Sequence, residues 1–150
     1  MKLADADQEV RRALGFAGDD QLEGFLAELT ESELAAGDTL FRMGDQATTL
    51  YFLVAGRLAV RKSTGFAEKM QVVALLDPGA PVGEGAVFPG GVHDATVVAV
   101  ERSRLLALPG DRLQGLAGEK FDLAWKILTR LLHAAHLRLK KNSDRLARVL

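Results

Sequence analysis

The sequence has 150 residues, of which 48% are hydrophobic and 26% charged, as expected for one soluble globular domain. Its 19 basic and 20 acidic residues leave a net charge of -1, whereas a nucleic-acid-binding domain usually carries a basic surplus for the phosphates. The absence of cysteine excludes disulfides, zinc–thiolate sites and iron–sulfur clusters. No apolar run approaches the roughly 18 residues of a membrane span, and the acidic start lacks the apolar core of a secretory signal. We therefore expect a cytoplasmic protein.

The N-terminal segment, residues 1–30, predicts two short helices. Apolar residues recur at helical spacing from Asp5 to Leu29. Gly15 and Gly18 interrupt this pattern, and Asp19 or Asp20 is expected to cap the second helix.

Residues 31–108 predict a series of short strands. Apolar runs alternate here with glycine and aspartate turn signals, at the spacing that is typical of an all-β sandwich or barrel. The clearest runs are residues 50–54, 70–76, 95–100 and 105–108. Residues 57–62 alternate in the manner of a strand with one exposed face, on which Ala59 would lie.

The last segment, residues 109–150, predicts a short helix after Pro109 and a long helix from about Lys120 to Leu150. One stripe of the long helix advances by alternating steps of three and four residues, and we call it the heptad seam: Trp125, Leu128, Leu132, Ala135, Leu139, Asn142, Leu146 and Val149. This spacing is that of a coiled coil, in which Asn142 would fix the register. A second stripe comprises Leu123, Ile127, Leu131 and Ala134. We expect the second stripe to pack on the strands and the heptad seam to form a homodimer; a solitary surface helix is the alternative.

Three motifs of the β region stand in a fixed order. Residues 37–45 read GDTLFRMGD, residues 50–58 read LYFLVAGRL, and residues 77–86 read DPGAPVGEGA. Together they resemble the cyclic-nucleotide-binding domain family, which includes the catabolite activator protein, protein kinase A regulatory subunits and nucleotide-gated channels. The resemblance extends from about Leu22 to about Leu139. It implies a mainly β fold, a double-stranded β-helix or jelly-roll-like β-roll, with N-terminal helices and a long C-terminal helix.

The resemblance also implies a phosphate-binding-cassette-like segment at residues 82–97, which we call the cassette. In the family, small residues let backbone N–H groups approach a cyclic phosphate, and a glutamate accepts a hydrogen bond from the ribose 2′-hydroxyl. Gly83, Glu84 and Ala86 retain these features. The ligand-binding residues implied are Val82, Gly83, Glu84, Gly85, Ala86, His93, Asp94, Ala95 and Thr96, with cAMP or cGMP as the candidate ligand and no required cofactor or metal.

The cassette departs from the family's pattern where the phosphate is bound. His93 replaces an arginine, whose guanidinium holds phosphate oxygens in a two-pronged contact that a partly charged imidazole cannot make. Asp94 replaces a small residue, and Gly85 replaces a branched apolar one. A carboxylate beside a phosphate costs free energy unless it is turned away. Two interpretations stay open: a pocket that binds cyclic nucleotide weakly or takes another anion, and a vestigial pocket. Each of these residues also has a purely structural interpretation. Glu84 would then be a surface turn residue, and His93 a loop residue without a function.

The remaining polar residues predict neither catalysis nor DNA binding. His133 and His136 share a helix face without a third metal ligand, and the β region offers no nucleophile–base pair. The basic residues near the C-terminus are interrupted by Asp144 and indicate a solvated helix face: Arg138, Lys140, Lys141, Arg145 and Arg148.

The sequence thus predicts a regulatory or sensor domain rather than an enzyme. It would dimerise through its C-terminal helix and signal to an unidentified protein partner, without DNA or membrane contact. Ligand capture would order residues 83–95 and shift the helix against the strands. The alternatives are a degenerate β-roll that acts as a dimeric protein-interaction module, and a fragment of a longer regulator.

Overall fold

A computed structural model of the protein describes residues 1–63, 65 and 69–150. The α-helices of this part of the chain are α1 (Gln8–Ala13), α2 (Asp19–Leu26), α3 (Gly110–Glu119) and α4 (Phe121–Val149). The strands are β1 (Thr30–Leu34), β2 (Thr39–Phe41), β3 (Thr49–Ala55), β4 (Leu58–Ser63), β5 (Met70–Leu76), β6 (Pro81–Val82), β7 (Thr96–Ala99) and β8 (Ser103–Pro109). Short 3₁₀ helices occupy Leu3–Asp5, Gly15–Ala17 and Glu84–Val87.

The strands form two four-stranded antiparallel sheets, in the orders β1-β8-β3-β6 and β2-β7-β4-β5. Most consecutive strands lie in different sheets, as in a jelly-roll-like β-roll. The central pairings set Phe52 opposite Leu106 in the first sheet and Val60 opposite Val97 in the second. The predicted fold, a β-roll with N-terminal helices and a long C-terminal helix, is confirmed.

Strand β3 separates two apolar cores because its side chains alternate between the two faces of its sheet. Leu53 faces the core between the sheets. Phe52 and Val54 face a second core, which α1, α2, α3 and α4 close from outside. There Phe52 packs against Phe16 and Phe25, with ring centroids 5.6 and 5.8 Å away. This second core attaches the helices to the roll.

Helix α4 begins on this second core and then runs past it. Leu123, Ile127 and Leu131 are buried and Ala134 is half-buried, which confirms that the second stripe packs on the roll. Lys126 donates to the carbonyl of Ala17 at 3.2 Å, and Arg130 donates to that of Gly79 at 2.7 Å. The described residues include no helix that is long and apolar enough to cross a membrane.

Two local predictions were wrong. Gly18, with a positive φ of +80° that favours glycine, takes the N-cap position of α2. Asp19 and Asp20 therefore lie in the first turn, where carboxylates interact favourably with the helix dipole. Ala59 is buried rather than exposed, because β4 is an inner strand of its sheet. The small side chain of Ala59 lies between Leu75 of β5 and Val98 of β7.

Candidate ligand-binding site

A cavity of about 650 Å³ lies between the cassette and the second half of α4. Strands β4 and β5 contribute Val60, Lys62 and residues 73–76 to its wall. Helix α4 contributes residues from Ala135 to Arg145. Helix α4, which follows the β-roll in the sequence, therefore forms one side of the cavity.

Glycines shape the cassette backbone at two close approaches. Gly83 has φ +87°, and a Cβ there would lie 2.8 Å from the carbonyl oxygen of Thr49. A Cβ at Gly91 would lie 2.2 Å from the carbonyl oxygen of Gly85. No larger residue fits either position without moving the backbone. The cassette therefore keeps a tight loop whose 3₁₀ turn, Glu84–Val87, begins at the cavity.

The structure brings most of the predicted ligand-binding residues to this cavity. Its lining includes Val82, Gly83, Glu84, Gly85, His93, Asp94 and Ala95. Ala86 and Thr96 lie outside the lining. Ala86 is buried, and the Thr96 hydroxyl accepts a hydrogen bond from the Met43 backbone N–H at 3.0 Å. Thr96 thus ties the end of the cassette to the turn after β2.

His93 is a buried wall residue with an exposed fraction of 7%. Its ring stacks on Phe41, with centroids 3.5 Å apart and planes 5° from parallel. Burial holds the pKa of His93 below its ordinary value of 6.5, although the carboxylates of Asp45, Glu84 and Asp94 oppose this shift. The imidazole is therefore neutral near pH 7, so it can donate one hydrogen bond to a ligand but brings no positive charge.

Asp94 is directed toward solvent and toward a cation. Its side chain is 79% exposed, and its carboxylate lies 3.6 Å from the Lys62 ammonium. An exposed pair of this kind contributes little to stability. It does partly neutralise the carboxylate that would otherwise face a bound phosphate.

Glu84 is in contact with helix α4. Arg138 donates from Nη1 to Glu84 Oε1 at 3.4 Å and from Nη2 to the carbonyl oxygen of Pro81 at 3.0 Å. Both side chains are partly exposed. The solvated helix face predicted for the basic residues was wrong for Arg138, because this residue reaches the cassette. Helical spacing was the available signal, since Arg138, Lys141 and Arg145 lie on one face of α4 and all line the cavity.

The heptad seam is largely exposed on the single chain. The exposed fraction is 61% for Trp125, 70% for Leu132 and 83% for Val149. Three seam residues, Ala135, Leu139 and Asn142, also line the cavity. The described residues hold no group of three histidine or carboxylate side chains that could bind a metal ion.

Comparisons with known proteins find the same fold in other proteins. The N-terminal domain of a transcriptional regulator from Streptomyces coelicolor A3(2) is 32% identical and superposes with a TM-score of 0.68, covering 92% of this chain and 96% of that one. A cyclic nucleotide-binding domain from Methylobacillus flagellatus superposes with a TM-score of 0.80 at 23% identity, covering 87% of this chain and 73% of that one.

Among curated proteins, the cyclic AMP receptor protein of Thermus thermophilus is 35% identical over 72 residues, which are 48% of this chain and 33% of that protein. The chain spans between 6% and 33% of the length of the curated relatives that it matches. The family model described as "Cyclic nucleotide-binding domain" matches residues 31–120, more than half of the sequence. The chain therefore belongs to the cyclic nucleotide-binding domain family.

Proposed function

We propose that this domain is a regulatory sensor that binds a cyclic nucleotide, cAMP or cGMP, in the cavity and reports its occupancy through helix α4. One observation carries the proposal: residues of the cassette and residues of α4 line the same cavity. A ligand held by the cassette is therefore also in contact with the helix.

The cassette offers the ligand two kinds of contact. The carboxylate of Glu84 is an acceptor-only group that suits a ribose 2′-hydroxyl. The backbone N–H group of Gly85, a small residue of the cavity lining, can donate to a ligand oxygen. A ligand shifts the position of α4 only to the extent that it binds one position more tightly than the other. The Arg138–Glu84 contact provides that difference, because a ribose hydroxyl on Glu84 competes for the same carboxylate.

The output of the sensor is a dimer formed by the heptad seam. Leu132 and Leu146 are exposed and belong to a stripe with coiled-coil spacing. Burial of these side chains against a second copy of α4 would stabilise the dimer. Because Ala135, Leu139 and Asn142 belong both to the seam and to the cavity lining, the ligand and the second helix would meet along these residues. The dimer then presents a ligand-dependent surface to a protein partner.

Isothermal titration with cAMP and cGMP tests the ligand. We expect submillimolar binding of at least one of them and a loss of roughly tenfold or more in Glu84→Gln, since a hydrogen bond to a charged acceptor is removed. Glu101→Gln, which changes an exposed glutamate outside the cavity lining, is the matched control. No binding at millimolar nucleotide would refute the sensor proposal for these ligands. It would favour the alternative, a dimeric interaction module, which is also favoured by a His93 that is buried and uncharged.

Sedimentation velocity tests the dimer. We expect the wild-type chain to dimerise and Leu132→Asp to weaken dimerisation by about tenfold or more, because a carboxylate would be buried in the seam. In the absence of ligand, Leu137→Asp should keep the wild-type dimer, since this exposed leucine of the same helix lines the cavity but lies off the seam. A wild-type monomer at high concentration would refute the dimer.

A further inference from the structure

The charges around the cavity differ in sign from those of the whole chain. The described residues of its lining include four cations, Lys62, Arg138, Lys141 and Arg145, against two carboxylates, those of Glu84 and Asp94. The chain carries a net charge of -1, whereas the cavity lining carries a positive excess. A cavity of this sign concentrates anionic ligands.

The positive charge lies on one wall. The cassette side presents Glu84, Asp94 and the neutral His93, and Lys62 of β4 is paired with Asp94. The other three cations lie on α4 at steps of three and four residues, which places them on one helix face. At a rise of 1.5 Å per residue, they extend over about 10 Å of the helix axis. We call them the cation row.

Members of the cation row have unused hydrogen-bond donors. The Arg138 guanidinium has five N–H donors. Its two hydrogen bonds, to Glu84 and to the carbonyl of Pro81, use only some of them. The side chains of Lys141 and Arg145 make no hydrogen bond or ion pair with a described residue. In the free chain the contact with Glu84 holds the Arg138 guanidinium at the cavity, and a ribose hydroxyl that takes over Glu84 frees this guanidinium for the ligand phosphate.

We infer that the phosphate of the ligand is bound by the cation row of α4, Arg138, Lys141 and Arg145, and not by the cassette position that His93 occupies. The inference rests on the proposed function, because both place the ligand in the same cavity. It assigns the anion-binding role to residues of the helix that the ligand is proposed to move. A phosphate-bearing ligand then joins α4 to the roll by its own charge, since its ribose lies on Glu84 and its phosphate on the helix.

The test is an NMR titration of the full chain, with inorganic phosphate and cAMP as separate probes. In the wild type we expect saturable shifts for the side-chain Nε–H of Arg138 and for backbone amides of residues 138–145 with both probes. Lys141→Gln/Arg145→Gln should lower the affinity for each probe by roughly tenfold or more, since charged hydrogen bonds are lost. Lys140→Gln/Arg148→Gln removes the same charge from the same helix outside the cavity lining, and it should stay within about twofold of the wild type.

The outcomes separate this inference from the proposed function. Phosphate binding through α4 without cAMP or cGMP binding would support the cation row and refute these two nucleotides as ligands. Nucleotide binding that survives Lys141→Gln/Arg145→Gln would support the sensor and overturn the cation row. Equal losses of affinity in the two double variants would show that only the net charge of the helix matters, and would overturn the inference. Chemical shift changes with phosphate that do not involve residues of α4 would also overturn it.

Discussion

The two halves of helix α4 differ in how they are attached to the β-roll. The proximal half, residues 121–131, buries Leu123, Ala124, Ile127 and Leu131 in the second core. The distal half, residues 132–149, has no buried residue, and its side-chain hydrogen bonds to the described residues of the roll are those of Arg138 with Glu84 and Pro81. One uninterrupted helix is thus anchored by apolar burial at one end and by exchangeable polar contacts at the other.

This difference assigns separate tasks to the two halves. A fully buried apolar side chain contributes about 1.5–3 kcal/mol, whereas a partly exposed ion pair contributes about 0–1 kcal/mol. The proximal half therefore fixes where the helix starts. The contacts that hold the distal half at the cavity are the weaker ones, so we expect a ligand to alter these contacts before those of the proximal half.

The largest expected effect is on the free energy of unfolding, and it belongs to the proximal half. Ile127→Ala should lower this free energy by about 3 kcal/mol, because it leaves a cavity in the second core. Leu137→Ala in the distal half should change it by less than about 0.5 kcal/mol. Urea denaturation at one protein concentration measures both. Similar losses in the two variants would contradict the proposed division of the helix.

An intermediate effect is expected when the polar contact of the distal half is removed. Arg138→Gln should cost less than about 1 kcal/mol of stability, since Arg138 and Glu84 are partly exposed. Hydrogen–deuterium exchange should nevertheless become faster in residues 138–149 and stay unchanged in residues 121–131. Molar salt should produce part of the same change in the wild type, because it screens the ion pair.

Arg148→Gln is the control for this experiment, since it changes an exposed arginine of the distal half outside the cavity lining. Its exchange should follow that of the wild type. Unchanged exchange in Arg138→Gln would show that the contact with the cassette does not hold the distal half.

The smallest expected effect is the pH dependence that arises from the cassette wall opposite the distal half. Burial lowers the pKa of His93 in the folded chain below 6.5, so the unfolded chain takes up the proton first on acidification. The contribution of His93 to stability is complete above about pH 6.5 and decreases as the pH falls from there toward the pKa of the folded state. Thermal unfolding at several pH values measures this decrease.

His93→Gln should flatten this part of the pH profile, whereas His133→Gln, on the exposed face of α4, should retain it. The lowered pKa values of Asp7, Glu28 and Glu119 act at more acidic pH, below their ordinary values of 3.8 to 4.5. A profile that His93→Gln leaves unaltered would contradict the neutral, buried imidazole.

The fold was predictable because its signals are local. Strand β5, Met70–Leu76, has the predicted bounds, since an apolar run with a proline–glycine turn behind it needs no tertiary information. Strand β6, Pro81–Val82, has no such signal, because two residues show no periodicity and pair only once β3 is beside them. The burial of Ala59 likewise depends on neighbouring strands.

The candidate site divides in the same way. The cassette residues follow from a contiguous motif, whereas Arg138 lies 54 residues from Glu84 along the chain. Helical spacing places Arg138, Lys141 and Arg145 on one face, but it does not say which face meets the roll. That choice follows from the direction in which Leu123, Ile127 and Leu131 anchor the helix.

Ala135, Leu139 and Asn142 belong to the heptad seam and also line the cavity. If the seam pairs and the cavity binds a ligand as proposed, a mutation at any of these three residues changes both surfaces in a single step. Ligand preference and pairing preference would then be inherited together at these positions. A duplicated copy that gained a new ligand through them would be expected to change its pairing as well.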